Sequence, residues 1–297
     1  MIPIASPVVI PVVVFAFRRP DLLERTLDSL RADRVPRIVA FSDGPRDRPD
    51  EAEVAQVREL LRAVSWCPID VHERPVNLGL GRSVRSGVAR ALQQYEAVIV
   101  MEDDHMCQPG TYEYLRAALE HSRDDTRVMS VTGWTHPRIT PAGLDGQPYF
   151  DGKAECWVWG TWRRSWVGMY RPATEIMDEC AARGIDVERY GSDMPKMAAD
   201  AGPRNLWAVG WWYHHMLNEG LCLRPPHSLS EHTGWDSRAT TTTAKARVWS
   251  NPRLEPCPPI PETWPEPVEH PDCARLWRAA IGDLEPSAPG RGGDVRC

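Results

Sequence analysis

The sequence predicts an α/β fold built on a doubly wound, mostly parallel central sheet, and three observations carry that prediction. Strand-like and helix-like segments alternate through the first 130 residues. Two of the strand-like segments, Val8 to Phe17 and Val98 to Met101, are continuous apolar runs of the kind buried on both faces of a parallel sheet. The second of these runs straight into three carboxylates, Glu102, Asp103 and Asp104.

In order along the chain, residues 8–17 read as the first strand. Pro20 to Leu30 follows with Leu22, Leu23, Leu27 and Leu30 at helical spacing behind Pro20 and Asp21, a helix start. Arg37 to Phe41 reads as the second strand and ends in the turn Ser42-Asp43-Gly44-Pro45. Glu51 to Val64 is an amphipathic helix, Ile69 to Glu73 a short third strand, Gly87 to Tyr95 part of a third helix, and Val98 to Met101 the fourth strand. A helix over Thr111 to Arg123 and a strand over Val128 to Thr132 come next. Beyond them the alternation fades and Gly, Pro and Trp rise.

These changes divide the chain into residues 1–130, a ligand-binding half; 131–250, an irregular, Trp-rich second half of the same domain; and 251–297, a Pro-rich C-terminal arm. Eight prolines between Pro252 and Pro271 preclude a continuous helix or a central strand there. The last dozen residues, rich in Pro, Gly and Arg, read as disordered.

Composition excludes several classes. With 297 residues, 42% hydrophobic and 26% charged, the chain is an ordinary globular protein. A net charge of -6 argues against a nucleic-acid partner. The first apolar run contains Pro11, has no basic start and is too short to span a bilayer, so the expectation is a cytoplasmic protein without stable membrane insertion. The 8 cysteines form no C-x-x-C pair, which points to reduced structural thiols rather than zinc or a disulfide scaffold. Thirteen tryptophans, concentrated in the second half, suit stacking on sugars as well as packing a loop-rich core.

Chemistry gathers where strands end. Phe15-Ala16-Phe17-Arg18 leaves the first strand, Asp43-Gly44 the second, Asn77-Leu78-Gly79-Leu80-Gly81-Arg82 opens a helix, and Glu102-Asp103-Asp104 ends the fourth strand. In a parallel sheet these ends share one edge and can converge on one ligand. Asp43 can accept hydrogen bonds from a base or ribose. The glycines let backbone approach closely, and a helix N-terminus with Arg82 favours an anion. The clustered carboxylates call for a divalent cation bearing phosphates. The glycines follow neither the dinucleotide fingerprint nor the P-loop pattern.

The stretches "VVFAFRRPDLLERTLDSL", "FSDGP", "NLGLGRSVRSGV" and "VIVMEDDHMCQPGTYEYL" together resemble a glycosyltransferase of the GT-A fold, of family 2 and the neighbouring N-acetylglucosaminyltransferase I type. "CWVWGTWRRSW" and "LWAVGWWYHHMLNEGLCLRPPHSLSEHTGWDS" resemble blocks of bacterial glycosyltransferases from polysaccharide clusters, so the likeness covers about residues 8–240. The resemblance implies a nucleoside-diphosphate sugar donor, UDP-sugar favoured, a glycan or small-molecule acceptor, and Mn2+ or Mg2+ held by Asp104. It also implies that Asp103 and Glu102 face ribose, donor sugar or a metal-bound water, and that Asp43 is the base-binding acid. Three positions depart from it. The acid expected before Leu206 is absent from Pro203-Arg204-Asn205, Gly210 replaces an Arg, and His232 replaces an Asn. His232 is a candidate third metal ligand, because neutral imidazole binds manganese and other transition metals well.

The expected reaction is displacement at the donor's anomeric carbon with inversion, assisted by a base. Candidates are Asp151, Glu155, Asp193 and Glu231, with Glu155 favoured beside the Trp157-Val158-Trp159-Gly160 turn, where apolar neighbours would favour its protonated form. Trp157, Trp159, Trp211 and Trp212 are candidates for stacking on donor or acceptor sugar, or for packing around the acceptor lobe. Two other classes compete: a sugar-nucleotide nucleotidyltransferase, disfavoured by the glycine-free Phe15–Arg19 segment, and an inactive sugar-nucleotide or glycan-binding module.

Overall fold

The computed structural model describes residues 9–238, 248–251 and 253–282. Pro252 and the last dozen residues, expected to be disordered, lie outside them.

The first half follows the expected alternation: β1 (Val12–Ala16), α1 (Pro20–Ala32), β2 (Ile38–Ser42), α2 (Glu51–Ala63), β3 (Ile69–Glu73), α3 (Leu80–Gln94), β4 (Ala97–Glu102), β5 (His105–Cys107), α4 (Thr111–His121) and β6 (Val128–Thr132). α3 begins seven residues earlier than Gly87. Gly81 and Gly87 are close-packing glycines inside the helix: a Cβ at Gly87 would meet the Phe15 ring at 2.5 Å, and one at Gly81 the Asn205 carbonyl oxygen at 2.1 Å.

The second half continues with β7 (Tyr149–Asp151), β8 (Trp159–Trp162), α5 (Arg163–Trp166), α6 (Ala173–Ala182), α7 (Met194–Ala201), α8 (Ala208–Leu217), β9 (Leu221–Arg224) and β10 (Ser230–His232). The Pro-rich arm is not extended throughout. Beyond Pro271 it forms α9 (Cys273–Gly282), which buries Cys273, Trp277 and Ala280. No proline falls between 272 and 285, so nothing in that stretch blocks helical backbone bonds.

Eight strands form one sheet in the order β3–β2–β1–β4–β8–β6–β9–β7, and β5 and β10 form a separate antiparallel ribbon. β1, β2, β3 and β4 are mutually parallel, and β6 and β9 run in the same direction. Only β7 and β8 oppose it. Alternation along β1 sends Val12 and Val14 to one face, against Leu23, Leu27 and Leu61 of α1 and α2. Val13 and Phe15 go to the other, against Val84 and Val88 of α3. Burial on both faces explains why β1 and β4 read as unbroken apolar runs. Among the described residues no helix is long and apolar enough to cross a membrane, and seven cysteines are free thiols.

Candidate functional site

The strand order reverses beside β1: the chain builds outward to β3, then returns to place β4 on the other side of β1. The crevice at the carboxyl ends of β1 and β4 is therefore a topological switch point, where open α/β sheets bind ligands. Phe15 pairs in register with Glu102 across it.

A cleft opens there, and Phe15, Ala16, Phe17, Arg18, Asp43, Asn77, Gly79, Glu102, Asp103 and Asp104 all line it. Ten positions chosen from sequence thus converge. The Asp43 carboxylate accepts backbone N–H bonds from Leu78 at 3.0 Å and Gly79 at 3.0 Å, so it fixes the entry to α3 as well as facing the cleft. Asn77 Nδ2 donates to the Gly44 carbonyl at 2.8 Å. Gly79 has φ +71, and a Cβ there would come 2.7 Å from Asn205 Nδ2, so this turn needs glycine twice over.

The acidic triplet has its own counter-charge, and sequence reasoning missed it. Arg19 Nη2 lies 2.9 Å from Asp103 Oδ1 and 2.6 Å from Asp104 Oδ2, and Phe17 N–H donates to Asp103 Oδ2 at 2.9 Å. Burial pushes the Asp103 carboxyl up to about 6, against the pull of Arg19. Burial and the Asp104 and Asp103 charges push Glu102 well up. Burial opposes ionisation of Asp104 too, but the facing His105 and His232 rings hold it well below the ordinary carboxylate range.

The β5–β10 ribbon makes the histidine cluster, since its register sets His232 opposite His105. His232 Nε2 lies 3.2 Å from Asp104 Oδ2, and His105 Nδ1 lies 3.1 Å from Asp104 Oδ1. The three donor atoms fall within 4.8 Å of one another, and all three residues are buried. Asp104 Oδ1, both His105 nitrogens and His232 Nδ1 are buried without a hydrogen-bond partner. Gly234 closes the cluster, because a Cβ there would sit 2.1 Å from Asp104 Oδ2. One carboxylate and two imidazoles with spare buried lone pairs fit a divalent transition ion such as manganese. His105 directly follows the triplet, so its neighbourhood was visible in sequence; its pairing with a residue 127 positions away was not.

Arg46, Arg204, Asn205 and Arg238 also line the cleft. Arg204 and Asn205 occupy the segment where an acid was expected. Arg238 is held by Asp21 at 2.7 Å and by Asp236 at 2.6 Å.

Several chosen residues do not line the cleft, among them His232, which reaches its edge only through Asp104. Arg82 faces outward on α3, because residue 82 falls on the helix side opposite buried Gly81, Val84 and Val88. Trp159 is fully buried and packs against Trp166, Trp207 and Trp211, so its ring is unavailable for stacking on sugar. Trp157 stacks on His232, with ring centroids 4.9 Å apart, and supports the histidine from behind. Glu155 Oε2 lies 3.2 Å from Arg224 Nη1, and Glu155 Oε1 accepts the Cys156 N–H at 2.8 Å, so its carboxylate serves a buried ion pair. Asp193 stands at the start of α7 beside Gly191.

Residues 12–138 match the sequence model of the family described as Glycosyl transferase family 2. The match takes in β1 to β6 and the acidic triplet, and His232 lies outside it. No curated protein matches the chain. Among solved structures, the mannosyltransferase PcManGT from Pyrobaculum calidifontis, in complex with GDP-Man and Mn2+, is similar at 16% identity and a TM-score of 0.39, covering 54% of this chain and 46% of that one. Mouse xyloside xylosyltransferase 1, apo form, is similar at 13% identity and a TM-score of 0.36, covering 57% and 75%. The likeness thus spans less than half the length of the first of these.

Proposed function

We propose that the protein is a metal-dependent glycosyltransferase that moves a hexosyl or N-acetylhexosaminyl group from a nucleoside-diphosphate sugar to an acceptor hydroxyl, with inversion. One observation supports this most: the acidic triplet, Arg19 and the two histidines meet at the switch point beside Asp43 and Asn77–Gly79. A UDP-sugar is the favoured donor. The sequence likeness to polysaccharide-cluster enzymes favours a glycan or small-molecule acceptor.

The chain's own residues divide the work. Asp43 and Asn77 shape the base and ribose end of the cleft. Asp103 and Glu102 face the donor sugar. Asp104, His105 and His232 would hold the cation, which when bound acts as a Lewis acid on the departing diphosphate. Arg19 and Arg204 add fixed positive charge where negative charge develops as the anomeric C–O bond breaks. Arg204 is exposed in the cleft wall and has no ion pair among the described residues, so it is free to meet a phosphate.

A second reading, a sugar-nucleotide-binding module without turnover, is favoured by one specific observation. Among the described residues, no acid from beyond residue 130 lines the cleft, and Arg204 and Asn205 stand where the resemblance calls for a base. Incubation with UDP-, GDP- and TDP-sugars, manganese and candidate acceptors separates the two. Release of nucleoside diphosphate together with a glycosylated acceptor supports transfer. Manganese-dependent binding with neither product supports the module, and absence of binding refutes both.

A further inference from the structure

The face built from edge strand β3 and the outer side of α3 carries charge and apolar surface that the donor cleft does not use. Along α3 the exposed positions Arg82, Ser86 and Arg90 recur one turn apart, with half-buried Arg85 beside them. Arg82, Arg85 and Arg90 have no ion pair or side-chain hydrogen bond among the described residues. Arg74, just past β3, lies over the Phe41 ring and keeps Nη1 buried without a partner.

Two shallow cavities meet on this face and share Ser86 and Tyr170. Glu73 is the only acid lining either of them among the described residues, and Arg62 already holds it. Apolar side chains protrude on this face and at its border: Val76, 60% exposed, and Tyr170, 68% exposed, line the cavities, and Val167, 73% exposed, shares the one turn after α5 with Tyr170. These are three of the six large hydrophobics so exposed among the described residues.

We propose that this face docks the protein peripherally onto an anionic phospholipid surface. Unpaired guanidinium groups in a chain of net charge -6 call for a local concentration of anions. A bilayer interface offers phosphates at headgroup depth and apolar volume just beneath, which suits arginines ringing protruding Val and Tyr. A soluble acidic polymer would satisfy the arginines and leave Val76 and Val167 in water. The segment from Gly202 to Leu206 joins the two regions. Pro203 and Leu206 line the docking face while Arg204 and Asn205 line the cleft, so docking sets the cleft at the membrane's edge. The inference rests on surface chemistry alone and stands whether or not the cleft transfers sugar.

Co-sedimentation of the full chain with vesicles tests it. The protein is expected to bind phosphatidylcholine vesicles containing phosphatidylglycerol, to ignore phosphatidylcholine alone, and to release as salt rises. Arg85→Glu/Arg90→Glu is expected to weaken binding at least about 25-fold, at roughly fivefold per arginine. Val167→Ser/Tyr170→Ser is expected to weaken vesicle binding while leaving retention on a soluble polyanion, dextran sulfate, unchanged. Wild-type melting temperatures confirm that both variants fold, and the salt titration needs no variant. Failure of the wild type to bind anionic vesicles at low salt overturns the proposal, as does undiminished binding by the arginine variant. Vesicle binding unchanged in Val167→Ser/Tyr170→Ser, alongside retention on dextran sulfate, assigns the face to a soluble polymer instead and equally overturns it.

Discussion

Arg19 Nη2 lies 2.6 Å from Asp104 Oδ2, so a guanidinium from the start of α1 neutralises the carboxylate that the site offers to a cation. The same nitrogen reaches Asp103, and the side chains of all three residues are largely shielded from water. Removing one partner of a buried ion pair costs about 3–5 kcal/mol, because the remaining charges lose their compensation. Arg19→Gln is therefore expected to destabilise the metal-free protein by about that amount. A divalent cation on Asp104, His105 and His232 would take over part of the neutralisation, so the loss shrinks when manganese is added. Thermal melts in EDTA and in manganese check this. An equal loss in both conditions would show that no cation engages the triplet.

Gly234 gives a sharper test of the same cluster. A Cβ there would meet Asp104 Oδ2 at 2.1 Å and Arg19 Nη1 at 2.7 Å. Gly234 has no left-handed φ, so alanine strains no backbone and acts by displacing the Asp104 carboxylate and the Arg19 guanidinium beside it. Gly234→Ala is expected to cost about 1–3 kcal/mol, as overpacking does. It should also weaken manganese-dependent nucleotide binding by at least tenfold. Calorimetric titration of nucleoside diphosphate with and without manganese reads this out. Unchanged manganese dependence would remove Asp104 from the metal site.

The two halves of the chain were unequally legible, for physical reasons. Ile69–Glu73 and Val128–Thr132 are strands over the very ranges that sequence indicates, since apolar content and turn signals fix strands locally. The opening of α3 at Leu80 falls within Asn77–Arg82, which reads as a helix start; what sequence does not show is that Gly81 and Gly87 inside the helix serve close packing against Asn205 and Phe15. In the second half β8 inserts antiparallel between β4 and β6, and β7, β8 and β10 are three or four residues long. Such short strands have no period to read. Within the site, residues anchored at strand ends were found, because strand ends are readable. Arg19 and His105 were missed, because their roles depend on partners 84 and 127 positions away. Trp159 and Glu155 lie apart from the cleft lining for a different reason. Their residue types suit a sugar site, but long-range neighbours, a tryptophan cluster and Arg224, claim them for the interior.

His215 gives the fold a pH dependence with a definite sign. It is fully buried between Ser130 and Trp211. Nδ1 lies 3.1 Å from the Trp211 carbonyl oxygen, which can only accept, so Nδ1 carries the proton. Nε2 therefore accepts from the Ser130 hydroxyl at 2.9 Å. Burial holds the imidazole down to about 3. In the unfolded chain it titrates near its ordinary value of about 6.5. Between those values the unfolded state binds a proton that the folded state refuses, so stability falls as pH drops from about 6.5 toward 3, by at most about 1.4 kcal/mol per pH unit from this group. Urea unfolding of wild type and His215→Gln at pH values on either side of 6 checks this. The variant is expected to be less stable at neutral pH and to lose a matching part of the acid slope. Parallel slopes would assign acid sensitivity to other groups.

Glu155 separates an interior ion pair from a catalytic base. Arg224 is fully buried: Nε donates to Asp151 Oδ2 at 2.7 Å, Nη1 to Glu155 Oε2 at 3.2 Å, and Nη2 to the Lys153 carbonyl at 3.0 Å. Trp277 of α9 donates its indole N–H to the same Asp151 oxygen at 2.8 Å, so the cluster also fastens the C-terminal helix to the sheet. With its carboxylate turned to Arg224, Glu155 is expected to serve that ion pair rather than an acceptor hydroxyl in the cleft. Glu155→Gln keeps one side-chain oxygen for the Cys156 N–H but sets its amide NH2 against Arg224 Nη1, so it loses the charge and that hydrogen bond. It is expected to cost about 1–3 kcal/mol of stability and to leave turnover within a few-fold of wild type. Loss of a catalytic base lowers turnover by about 10²–10⁴-fold, so the two roles are well separated in the measurement. Arg224→Met should be worse for stability, at about 3–5 kcal/mol, because it strands two buried carboxylates. Adding Asp151→Asn and Glu155→Gln to Arg224→Met should recover much of that loss, since the cost comes from unpaired charge rather than from missing volume. A Glu155→Gln variant with wild-type stability and turnover reduced a hundredfold would instead return Glu155 to the reaction.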